Sequence, residues 1–494
     1  MSLAVSVARN TIIQIVGKVI GTILGFTVVI LLTRYLGTEG YGQYTTIIAY
    51  LGFFSVIADL GLYLIVVREI SKPGADEKYV VGNILSIRLI FAVAILAAAV
   101  LISFLMPYPP IVRIGIIVGT LSFLFVAVNQ LLVGIFQKHL VMSRVVIGEI
   151  AGRLVLLGLV IWMVASGFGL LLIIGAVVAG SLTNLLVVMW FTRRFVRLSL
   201  RFDYAYWRKI LIMTWPLAIS VVLNLIYFRL DTVFLSIFQS SHDVGLYGAA
   251  YKVLEILVTF PNMFVGLILP ILSYQAIKNR EKFITVFQRS FDFLVIGALP
   301  IIVGGIILAR PIILLVGGSS FVDATVIFQL LLIAIGFLFL GALSGHTIVA
   351  INKQRKMVWG YLTVATIGLV LYLVLIPRFS YYGAAVGTIT TECLIALIGF
   401  VIILRTMKFR LKLAALAKSV SASIIMAAAL WLIYPYLYAL EDSFEKVVTG
   451  RILATIIALA IGAAVYFIAL LVMRGIPFSF IKEIIANRSD ESNE

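Results

Sequence analysis

Cysteine and histidine are nearly absent from this sequence, which has one Cys and three His among its 494 residues. The one thiol, Cys393, lies in an apolar stretch, so neither a disulfide framework nor a cysteine-based metal site is expected. The sequence also lacks a glycine-rich phosphate-binding loop and a cluster of His and Cys ligands. We therefore expect no metal, no cofactor, no ATP-driven cycle and no enzymatic activity.

Charged residues are also scarce, at 12% of the chain, whereas apolar residues make up 63% and the mean hydropathy is +1.18. Soluble domains are about a quarter charged and about half apolar. This composition excludes a soluble globular protein and indicates a membrane protein. Because the apolar stretches follow one another closely, we expect no soluble domain of appreciable size.

Lys and Arg outnumber Asp and Glu by 38 to 21, which gives a formal net charge of +17. The cations lie in short clusters between the apolar runs and form no continuous basic face, so we do not expect nucleic-acid binding. In a membrane protein such clusters mark the loops that stay in the cytoplasm. The richest loops are 193–209 and 405–418, whereas loop 440–449 carries three acids and one lysine. This bias predicts a cytoplasmic position for both chain ends.

Stretches of roughly 17–25 mostly apolar residues are long enough to cross a bilayer as a helix. About fourteen stretches qualify, and the first is too long for a signal-peptide core, so we expect it to be a retained span. The sequence thus predicts an all-α polytopic protein of the cytoplasmic membrane. The predicted spans are 11–33, 44–67, 80–106, 111–136, 145–165, 170–192, 211–238, 246–273, 285–308, 324–351, 358–376, 384–404, 419–440 and 452–473.

Three short motifs recur at equivalent places six spans apart, which indicates two parallel six-span lobes. The matched pairs are Gly42-Gln43-Tyr44 with Gly245-Leu246-Tyr247, Phe136-Gln137-Lys138 with Ile351-Asn352-Lys353, and Phe168-Gly169 with Tyr382-Gly383. We therefore predict an N-lobe at 1–192, a basic cytoplasmic linker at 193–210, a C-lobe at 211–404, a final span pair at 405–474 and a cytoplasmic tail at 475–494.

The first loop and the end of the second predicted span carry a recognisable pattern. It reads Leu32-Thr33-Arg34-Tyr35-Leu36-Gly37-Thr38-Glu39-Gly40-Tyr41-Gly42-Gln43-Tyr44, followed by Ala58-Asp59-Leu60-Gly61-Leu62 and Val67-Arg68-Glu69-Ile70. Looser matches are Asp231-Thr232-Val233-Phe234-Leu235 and Val244-Gly245-Leu246-Tyr247-Gly248-Ala249-Ala250-Tyr251. The chain resembles polysaccharide-biosynthesis flippases, the O-antigen-flippase-like branch of the multidrug/oligosaccharidyl-lipid/polysaccharide exporter superfamily.

This resemblance implies two helical bundles around a central cavity that opens alternately to each side of the membrane. It implies a cargo of polyprenyl-linked oligosaccharide, with the lipid bilayer and possible polysaccharide polymerase or glycosyltransferase machinery as partners. Lipid II flippases of the superfamily further suggest that the last two spans form a groove for the lipid tail.

Ionisable residues inside the predicted spans are the only candidate site chemistry, because such groups usually face a bundle interior or a wet cavity. We expect the cations to bind the anionic phosphate of the cargo. The acids are expected to act as counter-charges or coupling groups. The cations are Lys18, Arg88, Arg153, Arg229 and Lys252, and the acids are Asp59, Glu149, Asp231, Glu255 and Glu392.

The same residues also have a purely structural interpretation. Glu149 and Arg153 are spaced i, i+4 and favour a local ion pair, and Lys252 with Glu255 at i, i+3 does likewise. Asp59 is a candidate partner for Lys18. In addition, Gly17, Gly21 and Gly25 recur every four residues, which predicts one small face for a close helix approach.

The function predicted from the sequence is a flippase that carries a lipid-linked oligosaccharide across the cytoplasmic membrane by alternating access, for surface-polysaccharide biosynthesis. The first alternative is an ion-coupled multidrug or small-solute exporter of the same superfamily. A first-span carboxylate is common in that branch, and its absence here argues against it. A lipid II flippase is the second alternative, and a membrane-embedded scaffold or polymerase is the last.

Overall fold

The structure is a computed structural model that describes residues 3–59, 61–442 and 447–475. Within these ranges the side chains of 3–9, 11, 64, 216–229, 435, 437–442 and 447–452 are not described. All regular secondary structure in the described backbone is helical, with no strand. Eleven of its helices are long and apolar enough to cross a membrane. The predicted all-α polytopic fold is therefore confirmed, while the count of fourteen spans and the position of both ends stay predictions.

Fourteen α-helices and one short 3₁₀ segment follow one another within the described ranges. They are α1 Leu3–Asp59, α2 Leu62–Ile70, α3 Glu77–Ser103, α4 Pro110–Lys138, α5 Ser143–Ala165, α6 Leu170–Thr192, α7 Tyr204–Phe238, α8 Ser241–Lys278, α9 Arg280–Ile307, α10 Ala309–Gly317, the 3₁₀ segment Ser319–Phe321, α11 Ala324–Ala350, α12 Gln354–Met407, α13 Ala414–Asp442 and α14 Val447–Val472. The predicted spans fall on these helices to within three residues at their ends, except 44–67, which runs from α1 through Gly61 into α2.

Helix α12 contains two of the predicted spans, and α1 contains the first span and most of the second. Each of these helices continues past a single non-helical residue. In α1 this residue is Gly37, whose φ of 66° suits glycine, which has no Cβ. In α12 it is Ser380, with a φ of 49° that few residues other than glycine adopt. The Ser380 hydroxyl donates a 3.0 Å hydrogen bond to the Asp243 carboxylate, which compensates for part of the cost. Each break lies in a loop that the sequence predicted.

The described residues divide into two compact units. The first lies within Met1–Ala249 and Tyr361–Thr388, and the second within Ala250–Gly360 and Ile389–Glu494. The predicted lobes, 1–192 and 211–404, have other boundaries than these units and stay a prediction.

In the first unit, α4, α5 and α6 pack together, and α1 packs against both α4 and α5. Its two large cores are built from aliphatic side chains such as Val66, Ile84 and Leu131 in one and Ile47, Leu51 and Ile116 in the other. In the second unit, α9 packs against α11 and α13, and α13 packs against α14. These are the helix-on-helix contacts that position the charged residues below.

Large apolar side chains remain exposed along most of the long helices, including Ile23, Trp162, Leu186, Ile424 and Trp431. Bands of this kind on a soluble protein would be aggregation sites, whereas in a bilayer they face lipid chains. The protein is therefore a multi-pass membrane protein, as its composition predicted.

The glycine face of α1 lies directly against α5, as its four-residue spacing predicted. A Cβ placed on Gly17 would lie 2.3 Å from Cγ1 of Val146, so only glycine fits there. A Cβ on Gly25 would lie 2.6 Å from Nη1 of Arg153. The missing side chains thus make room for a β-branched residue at one level and for a guanidinium group at another.

Candidate site: interior charges and the helix crossing beside them

Arg88 of α3 is held on every side of its guanidinium group. Its Nε donates to the carbonyl oxygen of Ala127 at 2.6 Å, and its Nη2 donates to Oε1 of Gln130 at 2.7 Å. Its Nη1 donates to the Asp59 carboxylate. The Arg88 side chain is only 1% exposed and that of Asp59 is 23% exposed. Arg88 therefore links α1, α3 and α4 through one buried charged group.

The pairing of Asp59 with Lys18 that the sequence allowed is wrong. Asp59 lies near the end of α1, where this helix packs against α3, and it pairs with Arg88 instead. Lys18 is exposed on the opposite arm of α1, before the break at Gly37.

Arg153 of α5 has a more open environment. Its Nη2 donates to Oε1 of Glu149 at 2.9 Å, and its Nη1 donates to the carbonyl oxygen of Gly21 at 2.7 Å. The i, i+4 ion pair that the spacing predicted is therefore confirmed. Both side chains are about one third exposed, at 32% for Arg153 and 34% for Glu149. Because the guanidinium group has five N–H donors, donors remain for a further anion.

Two candidates of the second unit, Lys252 and Glu255, form a local ion pair. Lys252 donates to Oε2 of Glu255 at 2.7 Å, which confirms the predicted i, i+3 pair. Its side chain is 42% exposed. Glu392 is buried at 3% exposure on the second arm of α12. The Arg229 side chain lies outside the described residues, so its role stays a prediction.

Asp231, at the end of α7, is buried among hydroxyl groups. Its Oδ2 accepts hydrogen bonds from the Tyr247 hydroxyl at 2.7 Å and from the Thr388 hydroxyl at 3.0 Å. Its Oδ1 accepts from the backbone N–H and the hydroxyl of Thr232 at 2.6 Å and 3.2 Å. The carboxyl group is 1% exposed. Such a shell of donors stabilises a buried carboxylate.

The hydroxyl shell of Asp231 was missed by sequence reasoning. Tyr247 belongs to the repeated motif Gly245-Leu246-Tyr247, and this was the one available signal for its importance. Thr388 comes from α12, more than 150 residues further along the chain. Only the packing of the helices brings it to Asp231.

The two matched glycine motifs lie against each other where α1 and α8 cross. A Cβ on Gly42 would lie 1.6 Å from the carbonyl oxygen of Ser241, and a Cβ on Gly245 would lie 2.0 Å from that of Thr38. Thr38 and Ser241 each lie four residues before the glycine of their own helix. The contact is therefore reciprocal, and each backbone fills the space left by the glycine of the other helix.

Gly245 lies 203 residues after Gly42, and Gly248 lies the same distance after Thr45, one turn further along each helix. There a Cβ on Gly248 would lie 2.7 Å from Cγ2 of Thr45. We call the contact of 38–45 with 241–248 the glycine crossing. By the predicted orientation it lies on the external side, just after the break in α1 and at the start of α8.

Among the described residues no group of three or more His, Cys, Asp or Glu side chains is arranged to hold a metal ion. The interior chemistry that they offer is charge pairing and hydrogen bonding. Such groups serve anion binding, proton binding and helix–helix contact.

A model of the polysaccharide biosynthesis protein family matches residues 7–275, which is more than half of the chain. The chain belongs to this family. The matched region runs from α1 into the last residues of α8. It includes the glycine crossing and all the candidate site residues except Glu392, which lies further along the chain.

Curated relatives of this family member are similar over most of its length. The probable low-salt glycan biosynthesis flippase Agl15 of Haloferax volcanii is 23% identical over 392 residues, which are 77% of this chain and 80% of that protein. The capsular polysaccharide biosynthesis protein CapF of Staphylococcus aureus is 22% identical over 79% of this chain and 98% of its own.

Solved structures share the fold of this family member at low sequence identity. The lipid II flippase MurJ, in an inward closed conformation, matches with a TM-score of 0.72 and 14% identity, over 94% of this chain and all of that one. A multidrug resistance MATE family transporter of the MOP superfamily, in an inward-facing conformation, matches with a TM-score of 0.64 and 14% identity, over 81% of this chain and 99% of that one. The predicted superfamily fold is confirmed.

Proposed function

We propose that this protein is a flippase that carries a polyprenyl-phosphate- or polyprenyl-diphosphate-linked oligosaccharide from the cytoplasmic to the external leaflet, for surface-polysaccharide assembly. The observation that carries the proposal is the family membership, which spans α1 to α8. It is supported by relatives named for glycan and capsule synthesis and by a fold like that of a lipid II flippase.

In this proposal Lys18 and Arg153 bind the phosphate of the cargo. Lys18 is exposed on α1, and Arg153 is one third exposed on α5, which packs against α1. Arg153 is held in place by Glu149 and by the carbonyl of Gly21, so its remaining donors are presented at little entropic cost. Arg88 has a different role, because its guanidinium group is buried and each of its three nitrogens donates to a protein partner. It supports the helices that carry the binding residues.

Alternating access requires the glycine crossing to separate when the cargo leaves on the external side. The crossing is suited to this movement because its Gly42 and Gly245 contacts join backbone to backbone, without interlocked large side chains. Separation and closure therefore need no repacking of bulky groups at these two positions.

A disulfide across the crossing tests this movement. An ideal Cβ on Gly248 lies 3.2 Å from Cβ of Thr45, slightly below the usual disulfide range of about 3.5–4.5 Å. In a Cys393→Ala background, the pair Thr45→Cys and Gly248→Cys is expected to form a disulfide on oxidation. Transfer of lipid-linked sugar should stop and return on reduction. Each single-cysteine variant is the control. Full transfer by the cross-linked protein would contradict alternating access through this crossing.

The function itself is tested by leaflet transfer of a fluorescent polyprenyl-diphosphate oligosaccharide in proteoliposomes. The double variant Lys18→Gln, Arg153→Gln should reduce transfer by about tenfold or more, since each charge-assisted hydrogen bond contributes about 1.5–3 kcal/mol. The matched control is Arg355→Gln, Lys356→Gln, which removes two exposed cations from the first turn of α12 and should leave transfer unchanged.

The remaining outcomes separate the alternatives. Transfer by the wild type and equally by the Lys18, Arg153 double variant keeps the flippase and rejects these binding residues. No transfer by the wild type, together with gradient-driven export of a cationic dye, identifies a drug exporter. Faster transfer of lipid II than of the oligosaccharide identifies the peptidoglycan branch.

A further inference from the structure

The segment between α6 and α7 is fastened to α3 along one side. The backbone N–H of Arg201 donates to the Ser86 hydroxyl at 3.1 Å, and the N–H of Asp203 donates to Oδ1 of Asn83 at 2.9 Å. The carbonyl oxygen of Ser199 lies against Gly82, where an added Cβ would approach it to 2.4 Å. We call residues 199–204 the strap. Its odd-numbered residues face α3.

The even-numbered residues of the strap point the other way and are apolar. Leu200 is 53% exposed, Phe202 is 56% exposed and Tyr204 is 75% exposed. An extended chain alternates its side chains between two faces, so Leu200 and Phe202 share the outer face. Tyr204, the first residue of α7, follows them and is exposed as well. The strap therefore presents a row of large apolar groups on the side away from α3.

The charges around the strap are almost entirely positive. Five exposed cations flank the apolar row: Arg193, Arg194, Arg197, Arg208 and Lys209. The one acid of the segment, Asp203, faces inward, where its carboxylate accepts from the Tyr79 hydroxyl and from the N–H of Tyr206. These hydrogen bonds, chiefly that of Tyr79, hold the pKa of Asp203 below its usual value. Asp203 therefore stays ionised, and its carboxylate points toward Tyr79 of α3 and the first turn of α7, away from the outer face.

The residues beside the strap predict that it lies at the level of a membrane surface. It joins two long apolar helices, and large side chains near their adjoining ends are exposed: Trp190 near the end of α6, and Ile212 and Trp215 in the first turns of α7. Tryptophan is enriched at the boundary between lipid chains and water. The guanidinium group of Arg194 stacks on Trp190 at 5.6 Å from the ring centroid. The cations are thus at the depth of lipid headgroups.

We propose that the outer face of the strap, with its flanking cations, binds anionic phospholipids of the leaflet in which it lies. The apolar row enters the interface between headgroups and chains, and the cations hold the headgroup phosphates. The charge complementarity favours an anionic lipid over a zwitterionic one. This binding is independent of the transported cargo and anchors the connection between α6 and α7 at the membrane surface.

The experiment places a fluorescent probe on the strap of the full chain. Phe202→Cys in the Cys393→Ala background is labelled and reconstituted in nanodiscs that contain a lipid with a nitroxide on its headgroup. One set of discs is phosphatidylcholine, and the other adds phosphatidylglycerol. Quenching should rise at least about twofold with phosphatidylglycerol and fall back in high salt, which screens exposed charges. A probe at Asn352→Cys, in another exposed turn, is the positional control.

A variant that lacks three of the flanking cations tests whether they cause the response to phosphatidylglycerol. Arg193→Gln, Arg197→Gln, Arg208→Gln should lose the response to phosphatidylglycerol, because these side chains are exposed and make no contact that holds the strap to α3. The matched control, Arg405→Gln, Lys408→Gln, Arg410→Gln, removes three exposed cations from another basic loop and should keep the response. A thermal unfolding measurement checks that both variants are folded.

Three results overturn the proposal. Equal quenching in both lipid compositions would show that the headgroup charge is not recognised. Absence of quenching would show that the strap faces water and is free for a soluble partner. Quenching that is relieved only by added polyprenyl diphosphate would show that the strap holds the cargo and not the bulk lipid.

Discussion

Arg88 and Arg153 are both arginines inside the first unit, yet their surroundings give them different roles. Arg88 is 1% exposed and bonds to partners on α1 and α4. Arg153 is 32% exposed and bonds to Glu149 of its own helix and to one carbonyl of α1. A buried guanidinium group whose three nitrogens all bond to the protein serves the fold, whereas a partly exposed one is able to contact a ligand. The same residue type in a membrane span is therefore no guide to function until its partners are known.

The largest effect should come from breaking the Arg88 group. Arg88→Met removes the partner of Asp59, and leaving one charge of a buried pair uncompensated costs about 3–5 kcal/mol. Thermal unfolding in detergent should show a large loss of stability. The double variant Asp59→Asn, Arg88→Met should recover much of it, because no unpaired charge then remains. Equal instability of the single and double variants would contradict the pairing.

The glycine face of α1 provides the second comparison. Gly17→Ala places a methyl group 2.3 Å from the stiff side chain of Val146, so we expect a loss of about 1–3 kcal/mol. Gly25→Ala meets only the end of the flexible Arg153 side chain, so its cost should be below about 1 kcal/mol. Unfolding measurements on both variants test this order. Val146→Ala should restore stability to Gly17→Ala and not improve Gly25→Ala.

The contrast also predicts that a substitution of Arg153 lowers the rate of transfer without a large loss of stability. Arg153→Gln should lower stability by less than about 1 kcal/mol, because its ion pair is partly exposed, while transfer of a lipid-diphosphate oligosaccharide falls clearly. Arg153→Lys keeps the charge but loses the planar fork, so partial transfer is expected. A large loss of stability with unchanged transfer per folded molecule would give Arg153 the role assigned here to Arg88.

The smallest effect is expected at Glu149. Glu149→Gln keeps a hydrogen-bond acceptor for Arg153 and removes only a charge that is one third exposed. Stability should change by less than about 1 kcal/mol. If Glu149 serves only to orient Arg153, transfer should fall less than in Arg153→Gln. Transfer abolished by Glu149→Gln at normal stability would instead make Glu149 a coupling acid.

The sequence by itself determined the membrane class, the helices and the contacts between residues within one helical turn. Composition decides the solvent in which a chain is stable, and the 3.6-residue period sets which neighbours share a face. The pairs Glu149–Arg153 and Lys252–Glu255 and the glycine face of α1 could therefore be predicted. All three depend on spacing along one helix.

Only the tertiary structure decided the contacts between helices that are distant in the chain. Asp59 meets Arg88 and not Lys18, Asp231 meets Thr388, and Gly42 meets the turn before Gly245. In lipid every span is apolar outside, so hydrophobicity does not specify which faces meet; close packing and interior hydrogen bonds do. Close packing and interior hydrogen bonds depend on the surfaces of both helices, so the sequence of one helix alone does not determine its partner.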